Sequence, residues 1–196
     1  MRGKVLKGYV YITSPGTDPG LLNNLNDPLF TDIPTLGACM PNIRRVVVPG
    51  DFIFVVSGKT TGVQQYVVGG MKVAEKLDAL AAYGRFPANR LHLGDDGLLK
   101  GNVIVNPDGS QHPLDTHDPD TFENRIRNFI VGTDAVALET PREVELGREL
   151  TLAKLSELCG REGNRAIDIM GRMRKLDDGQ VRGMVDWLHG IKAAAH

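Results

Sequence analysis

Cysteine is scarce in this chain. There are two in 196 residues, Cys39 and Cys159, too few for a disulfide framework and wrongly spaced for a cysteine metal motif. Long apolar runs are missing: none approaches the ~20 residues that cross a bilayer. The opening MRGKVLKGYVYI is too short and too polar for a secretory leader. Net charge is nearly absent, at -1, so no global field draws the protein onto nucleic acid or an anionic membrane, and any DNA contact needs a local patch. No internal repeat or low-complexity segment is visible. Neither GxxxxGK[ST] nor a strand-coupled GxGxxG is present, so Gly58, Gly62, Gly69 and Gly70 make no phosphate loop. There is no GxSxG nucleophile elbow. These absences describe a reduced, cytoplasmic protein with no cofactor and no membrane partner.

What is present is an ordinary globular composition, 41% apolar and 24% charged in 21.3 kDa, suited to one compact domain with a helical appendage. The character changes once. Up to about residue 140, short β-like runs are broken by Gly, Pro, Asn and Asp. Gly8–Thr13 reads as a strand by its β-branched and aromatic content. Ser14–Asp32 is a long polar loop, of a length that is usually functional or mobile. Ile43–Val48 and Phe52–Val56 read as strands around the turn Pro49-Gly50-Asp51, and Gln64-Gln65-Tyr66 opens a further strand. Asp78–Tyr83 suits a helical turn and Gly84–Gly101 is irregular. Asn102–Val105 is a short strand closed by the turn Asn106-Pro107-Asp108-Gly109. Phe129–Val131 and Ala135–Leu138 look like the last strand material, broken at Gly132. After Thr140 the pattern is helical. Thr140 caps, Pro141 takes the first position, Glu143 follows, and Gly160 ends the run. Asn164 caps a second helix bearing Ile167, Met170 and Met173, and Asp177 or Asp178 caps a third bearing Val181, Met184, Leu188 and Ile191.

Several polar residues could carry chemistry. On a strand, Arg44 and Arg45 point to opposite faces, so one could hold a phosphate while the other pairs a carboxylate; both could equally be plain surface residues. Cys39 could be a nucleophile, but no spacing nominates a base for it, and a lone cysteine is more often a small buried hydrophobe. Asp51 follows Gly50 in a turn, where an Asp commonly bonds its own backbone. Lys59, Thr60 and Thr61 form a loop that could lean over a ligand or be a solvated hairpin end. Gln64, Gln65 and Tyr66 combine amides for base edges with a ring for base faces. His92, His112 and His117 lie near Asp95, Asp96, Asp115 and Asp118, but no pair has metal-ligand spacing and turns explain the acids as well. No metal site is assigned.

Thr35-Leu36-Gly37-Ala38-Cys39, Pro41, Ile43-Arg44-Arg45 and Gly50-Asp51-Phe52-Ile53 together resemble the signature TL-x-x-C-x-P-x-IRR…GD of the nucleotide-modification-associated domain, type two. Gly94-Asp95-Asp96, Asn102–Val105, Asp108-Gly109 and then His112 or His117 are similar to that family's later stretch, and Phe129 to Leu138 to its closing strands. The resemblance covers roughly residues 8 to 140. It implies a place in systems that make or read modified bases in DNA, without handing over an activity. The chain departs from the pattern at Met40, where the family has Lys, and at Phe52, where it has Trp. A more distant likeness is to barrels of the pseudouridine-synthase-associated type, through the order Gly50 to Val73.

The expected fold is α+β: a small, mostly antiparallel β-barrel of five to seven strands over residues 1–140, like the pseudouridine-synthase-associated barrels, with a helical extension over 141–196. The leading expectation is a cleft for a nucleotide or nucleic-acid base, with local DNA contact. Arg44 or Arg45 would sit on phosphate, Tyr66 or Phe54 would stack, Gln64 or Gln65 would read the base edge, and Asp51 would orient an arginine. A second reading is a hydrolase or transferase acting on a nucleotide through Cys39 or His117. A third is a scaffold whose tail, residues 141–196, forms a homodimer or docks a partner.

Overall fold

The computed structural model describes residues 5–22 and 25–196. The first residues of the opening segment, and residues 23 and 24 of the long polar loop, lie outside that range. In chain order the elements are β1 (Gly8–Ile12), α1 (Pro19–Leu22), β2 (Thr35–Leu36), α2 (Pro41–Val46), β3 (Phe52–Val56), β4 (Val67–Leu77), α3 (Ala79–Arg85), β5 (His92–Leu93), β6 (Leu99–Lys100), α4 (Phe122–Arg125), β7 (Phe129–Ala137), α5 (Pro141–Cys159), α6 (Ala166–Met170), β8 (Met173–Leu176) and α7 (Asp178–Ala194). Short 3₁₀ turns sit at Pro87–Asn89 and Pro119–Thr121.

Six strands form one sheet in the order β2-β7-β4-β3-β1-β8, and β5 pairs with β6 as a separate hairpin. The sheet is mixed. β1 runs parallel to β3 and antiparallel to β8, while β3–β4 and β2–β7 are antiparallel. The expected barrel is therefore corrected to an open sheet. Its two ends, β2 and β8, have one partner strand each, so no ladder closes the ring.

A second correction has the same root. Ile43–Val48, expected as a strand, is instead the last four residues of the helix α2 followed by Val47 and Val48. Pro41 takes a first-turn position, where its missing N–H is harmless. Ile43 and Val47, four apart, are then fully buried on one face. Three β-branched residues in a row suggested a strand, but burial at helical spacing overrides that weak preference. With α2 helical, the hairpin that would have curled the sheet is absent.

Other boundaries shift as well. β4 runs eleven residues. β7 continues through Gly132 for nine. Asn102–Val105 makes only isolated bridges, from Val103 to Arg90 and from Val105 to Gln111. Met173, expected on a helix, instead begins β8, which pairs with β1. The long C-terminal helices match expectation closely. Thr140 and Glu143 form a reciprocal capping box on α5, and Gly160 ends it in the left-handed conformation. Asp177 and Gln180 cap α7 in the same way.

The chain divides into two compact units. One comprises Met1–Asn23, Gly50–Lys72 and Asp134–His196; the other comprises Asn24–Pro49 and Val73–Thr133. In the first, β3 is buried from Ile53 to Val56, and Phe54 lies where a Cβ on Gly70 would come within 2.2 Å of its ring, so only glycine fits opposite it. In the second, Ala79, Ala82, Phe86, Val103, Val105, Phe129 and Val131 make a core, with the rings of Phe86 and Phe129 stacked 6.0 Å apart.

Candidate functional site

The block Thr35 to Arg45, in the second unit, is built around two internal ion–backbone clasps. The first is the buried carboxylate of Asp27. It accepts backbone N–H bonds from Gly37 (2.7 Å), Ala38 (2.8 Å) and Cys39, and a side-chain N–H from Asn102 (2.9 Å). Three successive amides facing one carboxylate satisfy donors that would otherwise be buried without a partner. Gly37 is required here, since a Cβ would stand 2.1 Å from the Asn102 carbonyl oxygen. The second clasp is Arg44, which is fully buried. Its Nε donates to Cys39 O; Nη1 donates to Arg127 O and Asn128 O; Nη2 donates to Ala38 O and Arg125 O, all within 3.1 Å. A guanidinium has five N–H donors, and here five carbonyls take them. Arg44 thus ties the 38–39 turn to the 125–128 segment.

This arrangement settles the surroundings of Cys39. The turn holds Met40 at φ 51. Burial pushes the Cys39 thiol far above its ordinary pKa, and the neighbouring Asp27 charge and hydrogen bond push it further; Arg125 and Arg44 offset only part. The thiol is protonated at neutral pH.

One helical position along, Arg45 points the other way and is exposed. It lines a cleft of about 440 Å³ in the second unit. Pro41, Asn42 and Arg45 of α2 form one wall, and Thr121, Asn124, Arg125, Arg127 and Asn128 form the other. Arg125 is braced by bonds to Thr121 Oγ1 (2.9 Å) and Ala38 O (3.1 Å). The side chains of Arg45 and Arg127 have no hydrogen bond or ion pair among the described residues. The Arg44 clasp holds the backbone of Arg125, Arg127 and Asn128, so the second wall is fixed from behind. The lining contains three guanidiniums, three carboxamides and no carboxylate. Such a lining suits an anion with several oxygen acceptors.

His117 lies four residues before Thr121 in the same unit. Its Nδ1 is 2.5 Å from Asp115 Oδ1, and Asp115 also accepts from Gln111 Nε2 at 2.8 Å. The other two histidines of this expected cluster, His92 and His112, are held locally. His92 Nδ1 faces the Arg90 carbonyl at 2.9 Å, and His112 Nδ1 accepts from Leu114 N at 3.1 Å. Asp96 pairs with Lys100. Among the described residues, no three His, Cys, Asp or Glu gather as a metal site.

The remaining candidates belong to the first unit. Asp51 is buried in the turn before β3, and Phe54 is buried core. Tyr66 is buried beneath Arg148, whose guanidinium carbon is 4.9 Å from the ring centroid. Its phenol pKa is pushed up to about 12, first by burial and then by the Asp18 charge. Arg148 in turn makes a bidentate pair with fully buried Asp18, at 2.9 and 2.7 Å. Gln65 donates to Ser57 O at 2.7 Å. Gln64 is exposed and, with Gln65, Lys59, Thr60, Thr61 and Arg165, lines a cleft of about 520 Å³. Arg165 there is paired with Asp168 at 2.7 Å, which leaves this cleft weaker in positive potential than the one in the second unit.

Sequence reasoning named Arg45 but missed Arg125 and Arg127. The available signal was the run Arg125-Ile126-Arg127-Asn128, which has two more arginines just before a strand.

Residues 9–92 match the family model described as nucleotide modification associated domain 2. No curated protein and no solved structure matches the chain. The matched span contains Asp27 and the three amides it holds, Arg44 and the α2 wall of the arginine cleft; Asn102 and the 121–128 wall lie beyond it.

Proposed function

We propose that the chain binds a nucleotide in a system that makes or reads modified bases, and that the phosphate seats in the cleft lined by Arg45, Arg125 and Arg127. The observation that carries this reading is the lining itself, three guanidiniums with no acidic residue among them. Arginine forks match phosphate oxygens bidentately, and the segment carrying α2 matches a domain described by its association with nucleotide modification. Arg44 serves this site from inside, as a positioning residue rather than a phosphate ligand.

The test is a titration of nucleotides at ~50 mM salt, where phosphate contacts are least screened. Wild-type protein should bind. Arg45→Ala and Arg127→Ala should each weaken binding roughly tenfold, the scale of one charge-assisted hydrogen bond. Binding unaffected by both substitutions together would refute the placement.

A second reading, hydrolysis of a nucleotide, is favoured by one observation. The Asp115–His117 pair orients an imidazole much as general bases are oriented. It predicts that His117→Ala abolishes turnover and leaves nucleotide affinity intact.

A further inference from the structure

We infer that the ligand of the arginine cleft is a free nucleotide carrying a chain of two or three phosphates, held by that chain and not by its base. This rests on the reading above, that phosphate occupies the cleft.

Three features argue for it. Arg45, Arg125 and Arg127 line one volume of about 440 Å³, and Arg125 is braced by Ala38 O and Thr121 while Arg44 clamps the backbone behind it. These like charges repel one another, and none is neutralised by a carboxylate in the lining. A ligand that brings several negative charges into the same volume relieves that repulsion more than a ligand with one, so affinity must climb with ligand charge. Next, the polar remainder of the lining includes Asn42, Asn124 and Asn128 and contains no aromatic ring. The amide N–H groups can donate to phosphate oxygens, whereas a base finds no aromatic face to stack on. Finally, the chain's net charge of -1 supplies no attractive field for an extended polyanion, whose charges are spread one per nucleotide along a strand. A compact phosphate chain concentrates several negative charges in the volume that the three arginines line, whereas a strand of nucleic acid spreads its charges one per nucleotide along its length.

The experiment is a set of competition titrations on the full chain at low salt. The probes are AMP, ADP, ATP, dCTP, dTTP, inorganic tripolyphosphate and a single-stranded DNA oligonucleotide. Affinity should rise about tenfold or more from AMP to ATP, stay within about threefold among ATP, dCTP and dTTP, and be retained by tripolyphosphate, on the scale of added charge-assisted bonds. Arg127→Gln, a substitution at an exposed position, should flatten the rise while circular dichroism stays unchanged. Equal affinity for AMP and ATP, a strong preference for one base, or tighter binding of the oligonucleotide than of ATP would overturn the inference and leave the phosphate reading standing. If no phosphate compound binds, that reading falls with it.

Discussion

At the residue scale, the neighbours Arg44 and Arg45 show how one peptide step separates two roles. On α2, successive side chains diverge by roughly 100°, so Arg44 turns inward and Arg45 outward. Arg44→Lys keeps the charge but offers three donors where five carbonyls wait. It should destabilise the fold by about 2–5 kcal/mol, since at least two buried carbonyls lose their donor at roughly 1–3 kcal/mol each, measured as a shift in urea midpoint. Asp18→Asn should be similarly damaging, because Arg148 would keep its charge beside a neutral amide. Cys39 makes a sharper prediction. Its thiol is pushed well above the ordinary range by burial and by Asp27, so iodoacetamide should label it slowly at neutral pH in a Cys159→Ser background. Unfolding in urea should restore the rate of a free thiol. Rapid native labelling would revive a nucleophilic Cys39. The pairing of Asp27 with three amides, and of Arg44 with five carbonyls, was invisible in the sequence. Both bind backbone groups, which every residue carries, so no residue pattern reports them.

At the element scale, local signals were reliable where the element caps itself. Thr140, Pro141, Glu143 and Gly160 mark α5 with chemistry contained in its own first and last turns. Glu143 adds a longer reach, since it also pairs with Lys192 of α7 at 3.1 Å. Burial raises its pKa, but the N–H groups of Glu139 and Thr140 together with Lys192 outweigh that and hold it below the ordinary carboxylate value. A depressed folded-state pKa means that the stabilisation is present above the unfolded value, about 4.3, and is lost as pH falls through the folded one. Glu143→Gln should therefore lower stability by about 1–2 kcal/mol at neutral pH, with the gap to wild type closing in the acid range. Denaturant midpoints across pH would check it. Thr140→Ala should cost about 1 kcal/mol. The elements that sequence misread, α2 and β8, are short. α2 has six residues and β8 four, too few for a period to declare itself against β-branched content or a flanking helical pattern.

At the scale of the whole molecule, charge distribution matters more than charge. A net of -1 coexists with an arginine cleft in the second unit. Since each neutralised phosphate on a single strand contributes about -0.7 to the log–log salt slope, and three arginines line the cleft, the slope for any oligonucleotide bound there should be no steeper than about -2. A much steeper slope would require a wider basic surface. No helix among the described residues is long and apolar enough to cross a membrane. What the sequence by itself determined were the mixed α+β class, the capped C-terminal helices and the block around Cys39 and Arg45 that matches a nucleotide-modification-associated domain. Those depend on local capping, on composition and on a short contiguous motif. Only the tertiary structure decided that the sheet stays open, that Arg44 is internal, and that Arg125 and Arg127 join Arg45 around one cleft. Strand order arises from pairings as distant as Gly8 with Leu176, and the cleft from contacts such as that of Arg44 with Arg127, 83 positions apart; such contacts leave no periodic trace in a single chain.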